Sequence, residues 1–130
     1  MEFFEEGEFV VSEWKPLDYF GGYKNVLHGG IQSTLMDEIA SWAVQIKLKT
    51  AGVTASLNVK YKKPVFTTDN KVLIKARIEK HIKKLAYIHT ELFNSKGELC
   101  STGEIKYFVY PVEFAREKLF FPEYKKFFEG

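Results

Sequence analysis

The spacing of hydrophobic residues changes once along the chain, and the change separates a helix from a set of strands. Between Ile31 and Lys47, large apolar residues recur every three or four positions, the period of one face of an α-helix. That stripe consists of Ile31, Leu35, Ile39, Trp42 and Ile46. Lys47 suits a helix C-terminus and Gly52 suits the stop that follows it. The pattern therefore predicts a helix over residues 31–47.

After Gly52 the period falls to two, which is typical of half-buried strands. Alternating or strand-like runs predict four strands, at Val53–Tyr61, Val72–Ile78, Leu85–Phe93 and Leu99–Tyr110. Before the helix, Glu8–Trp14 alternates weakly and predicts one more strand, whereas Pro16–Leu27 is typical of a loop. Strands of this length reach ~36 Å and the helix only ~26 Å, so the strands can wrap around it.

The length of 130 residues fits one domain, with a core at about residues 5–110 and an aromatic tail at 111–130. The tail is expected to lie on the body or on a partner subunit. With 45% hydrophobic and 28% charged residues, the chain should fold. It has no apolar run long enough for a membrane span, no basic leader and no nucleic-acid-binding motif, so we expect a cytoplasmic protein that binds neither membrane nor nucleic acid.

Charge and cysteine content narrow the classes of site. Residues 1–50 carry four Lys against eight acids, and residues 51–130 carry fifteen Lys or Arg against nine acids. Such a basic half can attract a phosphate-bearing ligand, although scattered lysines are more often a solvated face. The single cysteine, Cys100, excludes an internal disulfide and is expected in the core. The three histidines lack metal-ligand spacing, so no metal site is expected; His81 and His89 are interpreted as ordinary strand residues.

The junction between loop and helix can stabilise negative charge. His28, Gly29 and Gly30 stand directly before the apolar stripe, where backbone N–H groups of a first helical turn lack partners. Glycines leave these donors unshielded, and the positive end of the helix dipole adds to them. Such a place can serve as an oxyanion hole, although a plain glycine turn has the same sequence.

Asp37 is the unusual residue of the predicted helix. It lies opposite the stripe, among the small or apolar residues Ser33, Ala40 and Val44, and is expected to be buried. An isolated carboxylate there is costly unless it is used or paired. It can act as general base or nucleophile, or it can form a structural ion pair with a lysine. Glu38, at the edge of the stripe, is the weaker candidate.

The segment NVLHGGIQSTLMDEIASWA followed by GVTASLNVKYKKPV resembles the hot-dog thioesterases of the phenylacetate-pathway (PaaI-like) type. Their pattern is HGG, six residues, an acid, and later a strand that ends at a proline; the resemblance covers about residues 23–110. It implies an α+β hot-dog fold, in which an antiparallel sheet of about five or six strands wraps a long central helix and continues across a dimer. It also implies active sites at the subunit interface.

The resemblance assigns roles to individual residues. Asp37 matches the catalytic acid, Gly29 the glycine whose N–H polarises the thioester carbonyl, and Gly30 and His28 the rest of that motif. Thr54 matches a Ser or Thr that positions the attacking water from the partner subunit. Many members carry an asparagine six residues before the histidine, where Gly22 stands here; Asn25 is a candidate substitute.

The ligand implied by the resemblance is an acyl- or aryl-acyl-coenzyme A, with coenzyme A as part of the substrate and no separate cofactor. Candidates for substrate contacts are Asn25, Glu38, Lys60, Lys62, Lys63, Lys83 and Lys84. Phe20, Tyr23 and Trp42 are candidates for an acyl pocket, although Trp42 also suits a core. Self-association as a dimer or a dimer of dimers, a homotetramer, is expected.

Two other functions remain open at this point. A hot-dog dehydratase acting on a hydroxyacyl thioester is disfavoured, because such enzymes use a histidine with an acid in a different loop and helix pattern. A non-catalytic acyl-CoA-binding protein is favoured only by the glycine at position 22.

Overall fold

The computed structural model describes residues 2–15, 21–23, 26–27, 29–66 and 71–111. It contains one long helix, α1 (Gly29–Leu48), and eight strands in the described residues. The strands are β1 (Glu2–Glu6), β2 (Phe9–Trp14), β3 (Gly21–Tyr23), β4 (Val26–Leu27), β5 (Gly52–Tyr61), β6 (Val72–Ile82), β7 (Leu85–Phe93) and β8 (Leu99–Val109). The helix and the four strands after it are therefore confirmed, with the helix two residues longer at its start.

Six strands form one antiparallel sheet in the order β1-β2-β6-β7-β8-β5, and α1 packs against one face of it. This confirms the hot-dog architecture. The core lies between helix and sheet, and Cys100 is fully buried in it, as expected. One sheet edge is β5, whose residues are almost all exposed. The predicted aromatic tail lies outside the described residues, apart from Pro111.

The region before the helix is more regular than predicted. β1 was missed because three of its five residues are glutamates. It pairs with β2 across a tight turn in which Gly7 adopts a φ of 63°, a conformation that suits glycine. The predicted loop Pro16–Leu27 contains the two short paired strands β3 and β4.

The buried face of α1 differs from the predicted stripe. It consists of Gln32, Leu35, Met36, Ile39, Ala40, Ala43 and Val44, whereas Ile31, Trp42 and Ile46 are only half-buried. Small residues such as Ala40 and Ala43 face the sheet because they allow the helix to approach it closely. Trp42 instead stacks on Phe3, with ring centroids 4.4 Å apart. Asp37 projects ~100° from Met36, which places it at the edge of the buried face.

A β-bulge changes which residues of β5 face the helix. The register of β5 with β8 shifts between Thr54 and Ser56. Thr54 is paired with the buried Tyr107 and Leu57 with the buried Ile105, so both face the helix although they are three residues apart. Strict alternation predicts opposite faces for them. The bulge therefore brings the Thr54 hydroxyl to the helix.

Gly52, the first residue of β5, lies so close to β8 that a substitution there can test the packing of the two strands. A Cβ there would clash with the backbone oxygen of Phe108. Gly52→Ala should lower the free energy of unfolding by about 1–3 kcal/mol, measured by urea denaturation at fixed protein concentration. Gly103→Ala should cost less, because its Cβ would meet the side-chain atoms Thr90 Oγ1 and Met36 Sδ rather than backbone. The reverse order would contradict this explanation.

Candidate active site

Asp37 is held by hydroxyl groups. Thr54 Oγ1 donates a hydrogen bond of 2.7 Å to Asp37 Oδ1, and the Tyr107 hydroxyl lies 3.2 Å from the same oxygen and 3.1 Å from the Asp37 backbone oxygen. Within the described residues no ion pair involves Asp37, so the alternative of a structural salt bridge gains no support. Asp37 was expected to be buried, but the structure leaves it half-buried. The sheet residues Thr54 and Tyr107 thus orient the carboxylate, and its other side remains open to solvent.

Tyr107 is a site residue that the sequence did not reveal. It is only 3% exposed and faces the helix from β8, the strand next to the edge strand β5. Burial raises the pKa of Tyr107 to about 12, and the neighbouring Asp37 carboxylate acts in the same direction. The phenol therefore stays protonated at physiological pH and remains a hydrogen-bond donor. Ile105 and Val109, which face the same side of β8, are apolar. A tyrosine hydroxyl between two core residues was therefore the signal that the sequence offered.

Tyr107→Phe should test this contact. A carboxylate that loses one of its two hydroxyl donors is held less firmly, so kcat should fall roughly three- to tenfold at neutral pH while KM changes little. Tyr87→Phe, on the sheet face away from the helix, is the matched control. An unchanged kcat in the first variant would exclude a positioning role for Tyr107.

Gly29 begins the helix and packs against the ring of Tyr61. The Tyr61 hydroxyl donates to the Gly29 carbonyl oxygen at 2.8 Å and accepts from the Ser33 hydroxyl at 2.7 Å. A Cβ on Gly29 would lie 3.1 Å from Tyr61 Cζ, so glycine permits this close approach. Gly30 follows in the first turn and its carbonyl accepts from the Thr34 hydroxyl. The structure thus anchors the helix N-terminus to the end of β5.

A pocket of about 340 Å³ adjoins this helix N-terminus. It is lined by Leu27, Gly29, Gln32 and Tyr61 and by residues 62–64, which follow β5. The backbone amides of Lys62 and Lys63 both donate to the Cys100 carbonyl and hold that segment against β8. Two of the predicted substrate-binding lysines therefore stand beside the predicted oxyanion hole.

The other predicted residues lie in different places. Lys83 and Lys84 are exposed in the turn between β6 and β7, near the Gly52 end of β5, and Lys60 lies on the sheet face away from the helix. Glu38 is exposed on α1. Lys63 forms an exposed ion pair with Glu98. His28 and Asn25 lie outside the described residues, as does the acyl-pocket candidate Phe20.

A model of the thioesterase superfamily matches residues 24–101, more than half of the chain. The chain belongs to the thioesterase superfamily. The prediction of a thioester hydrolase is thereby confirmed. No curated protein matches the chain significantly.

Solved structures of thioesterases resemble this chain over most of its length. A hypothetical thioesterase from Streptococcus pneumoniae, solved with coenzyme A, is 25% identical, with a TM-score of 0.76 over 83% of this chain and 86% of that one. Thioesterase superfamily member 2 from Mus musculus is 27% identical, with a TM-score of 0.73 over 82% and 84%. The streptococcal protein has also been solved with one aspartate, and separately one threonine, replaced by alanine.

The opposite face of this thioesterase sheet carries a second group of ionisable residues. His89 lies among Glu79, Glu91 and Glu104 on three neighbouring strands and is hydrogen-bonded to Glu104. The sequence had suggested only an ordinary strand residue at His89. The sheet separates this cluster from Asp37, so it takes no part in the candidate active site.

No helix in the described parts of the chain is long and apolar enough to cross a membrane.

Proposed function

We propose that the protein is an acyl-CoA thioesterase that works as a homodimer, with Asp37 activating water or attacking the thioester and the Gly29 amide polarising its carbonyl. Three observations support this. Asp37 is oriented by two hydroxyls, Gly29 opens a helix beside a pocket, and a relative within the superfamily was solved with coenzyme A.

The observation that carries the dimer is the separation of the two groups within one chain. Gly29 and Asp37 are eight positions apart on a continuous helix, which is ~12 Å along its axis. Reacting atoms must approach to ~3–3.5 Å, so one thioester cannot lie against both groups of the same chain. The Gly29 amide of one chain must therefore work with the Asp37 carboxylate of another.

The exposed edge strand β5 suggests how two chains meet. Its outer edge has no neighbouring strand among the residues that the structure describes, and its residues Leu57 and Tyr61, at 38% and 52% exposure, face the helix side. The helix runs antiparallel to β5, because Gly29 meets Tyr61 at one end and Asp37 meets Thr54 at the other. A two-fold axis near the middle of β5 would bring Asp37 and Thr54 beside the partner's Gly29 and Tyr61.

In this dimer Thr54 acts next to Asp37 of its own chain, and both face the thioester held by the other. In the general-base route, Asp37 accepts a proton as water attacks the carbonyl carbon, and negative charge develops on the carbonyl oxygen beside the partner's Gly29 amide. The C–S bond then breaks, and the coenzyme A thiolate leaves and takes up a proton. In the nucleophilic route, an Asp37 carboxylate oxygen attacks the carbonyl carbon and expels the thiolate, which gives a mixed anhydride that water hydrolyses to the free acid and the Asp37 carboxylate.

The lysines fit the same arrangement. Lys62 and Lys63 lie at one end of β5 and the pair Lys83 and Lys84 at the other, so within one chain they cannot surround one ligand. The same two-fold axis would bring one chain's Lys62 and Lys63 close to the other chain's Lys83 and Lys84 at each end of the dimer interface. We infer that they attract the phosphates of coenzyme A, whereas Lys60, on the opposite sheet face, does not.

The direct test is release of free thiol from aromatic and aliphatic acyl-CoAs of increasing length. Hydrolysis of any of them at a catalytic rate supports the proposal. Tight binding without thiol release over hours would favour an acyl-CoA-binding protein, and water addition or loss on enoyl- or hydroxyacyl-CoA would favour a dehydratase. Membership of the PaaI-like group, assembly of two dimers into a tetramer and a cytoplasmic location belong to the same proposal.

A further inference from the structure

Gln32 is an unusual residue in the pocket beside the helix N-terminus. It is only 3% exposed and belongs to the buried face of α1, where its neighbours on the helix are apolar. It also lines the pocket of about 340 Å³ that Gly29 and Tyr61 border. A leucine or methionine would fill such a core position without a polar group to satisfy.

Half of the Gln32 amide is satisfied by the protein. The Ser101 hydroxyl on β8 donates to Gln32 Oε1 at 2.9 Å. The NH2 group has no hydrogen-bond partner among the described residues. In that part of the chain the only fully enclosed side-chain atom without a partner is Arg77 Nε. The Gln32 nitrogen is therefore not sealed in the core, and it opens onto the pocket as a fixed, unused donor.

The position of this donor relates it to Gly29. Gln32 is three residues after Gly29, about one helical turn, and helical side chains slant back toward the N-terminus. A long side chain at position 32 thus reaches toward the level of the Gly29 amide, a rise of ~4.5 Å. A ligand with its carbonyl at Gly29 would need a second oxygen only a few bonds away to meet the Gln32 donor.

The part of the substrate that enters this pocket is the acyl group. The pocket lies at the low end of the size range of ligand sites, and its lining includes Leu27, Pro64 and the Tyr61 ring. The cations Lys62 and Lys63, which attract the phosphates of coenzyme A in the proposed function, also line the pocket, so the acyl group takes the part beside Gly29, Gln32 and Leu27. A short acyl chain fits the space and the mainly apolar surroundings.

We propose that Gln32 is a specificity-determining residue that selects short acyl groups bearing a hydroxyl or oxo oxygen at the third carbon. This rests on the proposed thioesterase function and names its substrate class. The Gln32 NH2 donates to that oxygen, while the Ser101 hydroxyl holds the other side of the amide. A plain alkyl chain of the same length leaves the donor without a partner once water is displaced.

The test compares kcat/KM for 3-hydroxybutyryl-CoA and butyryl-CoA. The wild-type protein should prefer the hydroxyacyl substrate by about tenfold, as expected when a binding-site donor is left unpaired by the analogue. Gln32→Leu should abolish that preference or reverse it. Gln45→Leu, the same change on the far end of α1, should keep it. Equal kcat/KM for both substrates in the wild-type protein overturns the inference, whether or not Gln32→Leu folds.

A binding measurement separates this inference from the proposed function. If neither substrate releases thiol, hydrolysis is wrong, and the inference is then judged with inert coenzyme A analogues that carry a methylene between sulfur and carbonyl. An analogue with the hydroxyl should bind about tenfold more tightly than one without it, and Gln32→Leu should equalise the two. Equal affinities in the wild-type protein reject the role of Gln32.

Discussion

Asp37→Asn is expected to lower kcat for acyl-CoA hydrolysis by about a thousandfold, because removal of a general base or nucleophile typically costs two to four orders of magnitude. The amide oxygen of asparagine can still accept from Thr54 Oγ1 and the Tyr107 hydroxyl, and its size is nearly the same. We therefore expect the fold, and the thermal stability within roughly 1 kcal/mol, to be preserved. The measurement is thiol release under saturating substrate, together with thermal unfolding.

The control for this change is Glu91→Gln, which neutralises a carboxylate on the opposite face of the sheet and should keep nearly full activity. More than about a tenth of wild-type kcat in Asp37→Asn would be too much for the loss of a catalytic base. In that case Asp37 would be a structural residue, held by Thr54 and Tyr107 to fasten the helix to the sheet.

The elements of this fold were predictable where one period of hydrophobic residues extends over many positions. The run from Ile31 to Lys47 and the alternation after Gly52 each continue long enough to exclude the other structure. β1 has no such pattern, since its glutamates belong to an exposed edge and only its pairing with β2 defines it. The predicted apolar stripe is only partly buried for a related reason, because Trp42 packs on Phe3 of that unpredicted strand.

Some residues of the candidate site could be found in the sequence because of their residue type, whereas others belong to the site only because of where the fold places them. Gly29 and Asp37 stood out in the sequence because paired glycines and a carboxylate are conspicuous in an apolar helix. Thr54 was named only by family resemblance, since alternation turns it away from the helix and a bulge turns it back. Tyr61 and Tyr107 act across 32 and 70 residues of sequence, so no local pattern connects them with the residues they hold.

A mixture of two inactive variants tests the two-chain site most directly. Gly29→Val keeps the backbone N–H but disturbs its surroundings, because the valine side chain would displace the Tyr61 ring, whose Cζ lies 3.1 Å from the Cβ position. Alone, this variant and Asp37→Asn should each be nearly inactive. The two variants are co-expressed with separate affinity tags and purified as mixed dimers. These dimers should regain activity, because one of their two sites combines the native Gly29 of one chain with the native Asp37 of the other.

The purified mixed dimers should recover about half of wild-type activity, since each has one native site of two. The control places both substitutions in one chain and mixes it with wild-type protein: the mixed dimers should then be inactive, because each site contains one altered residue. If the two groups instead acted within one chain, both outcomes would be reversed. The first mixture would stay inactive and the second would keep one working site, and the ~12 Å along the helix would have to be closed by a movement of the chain.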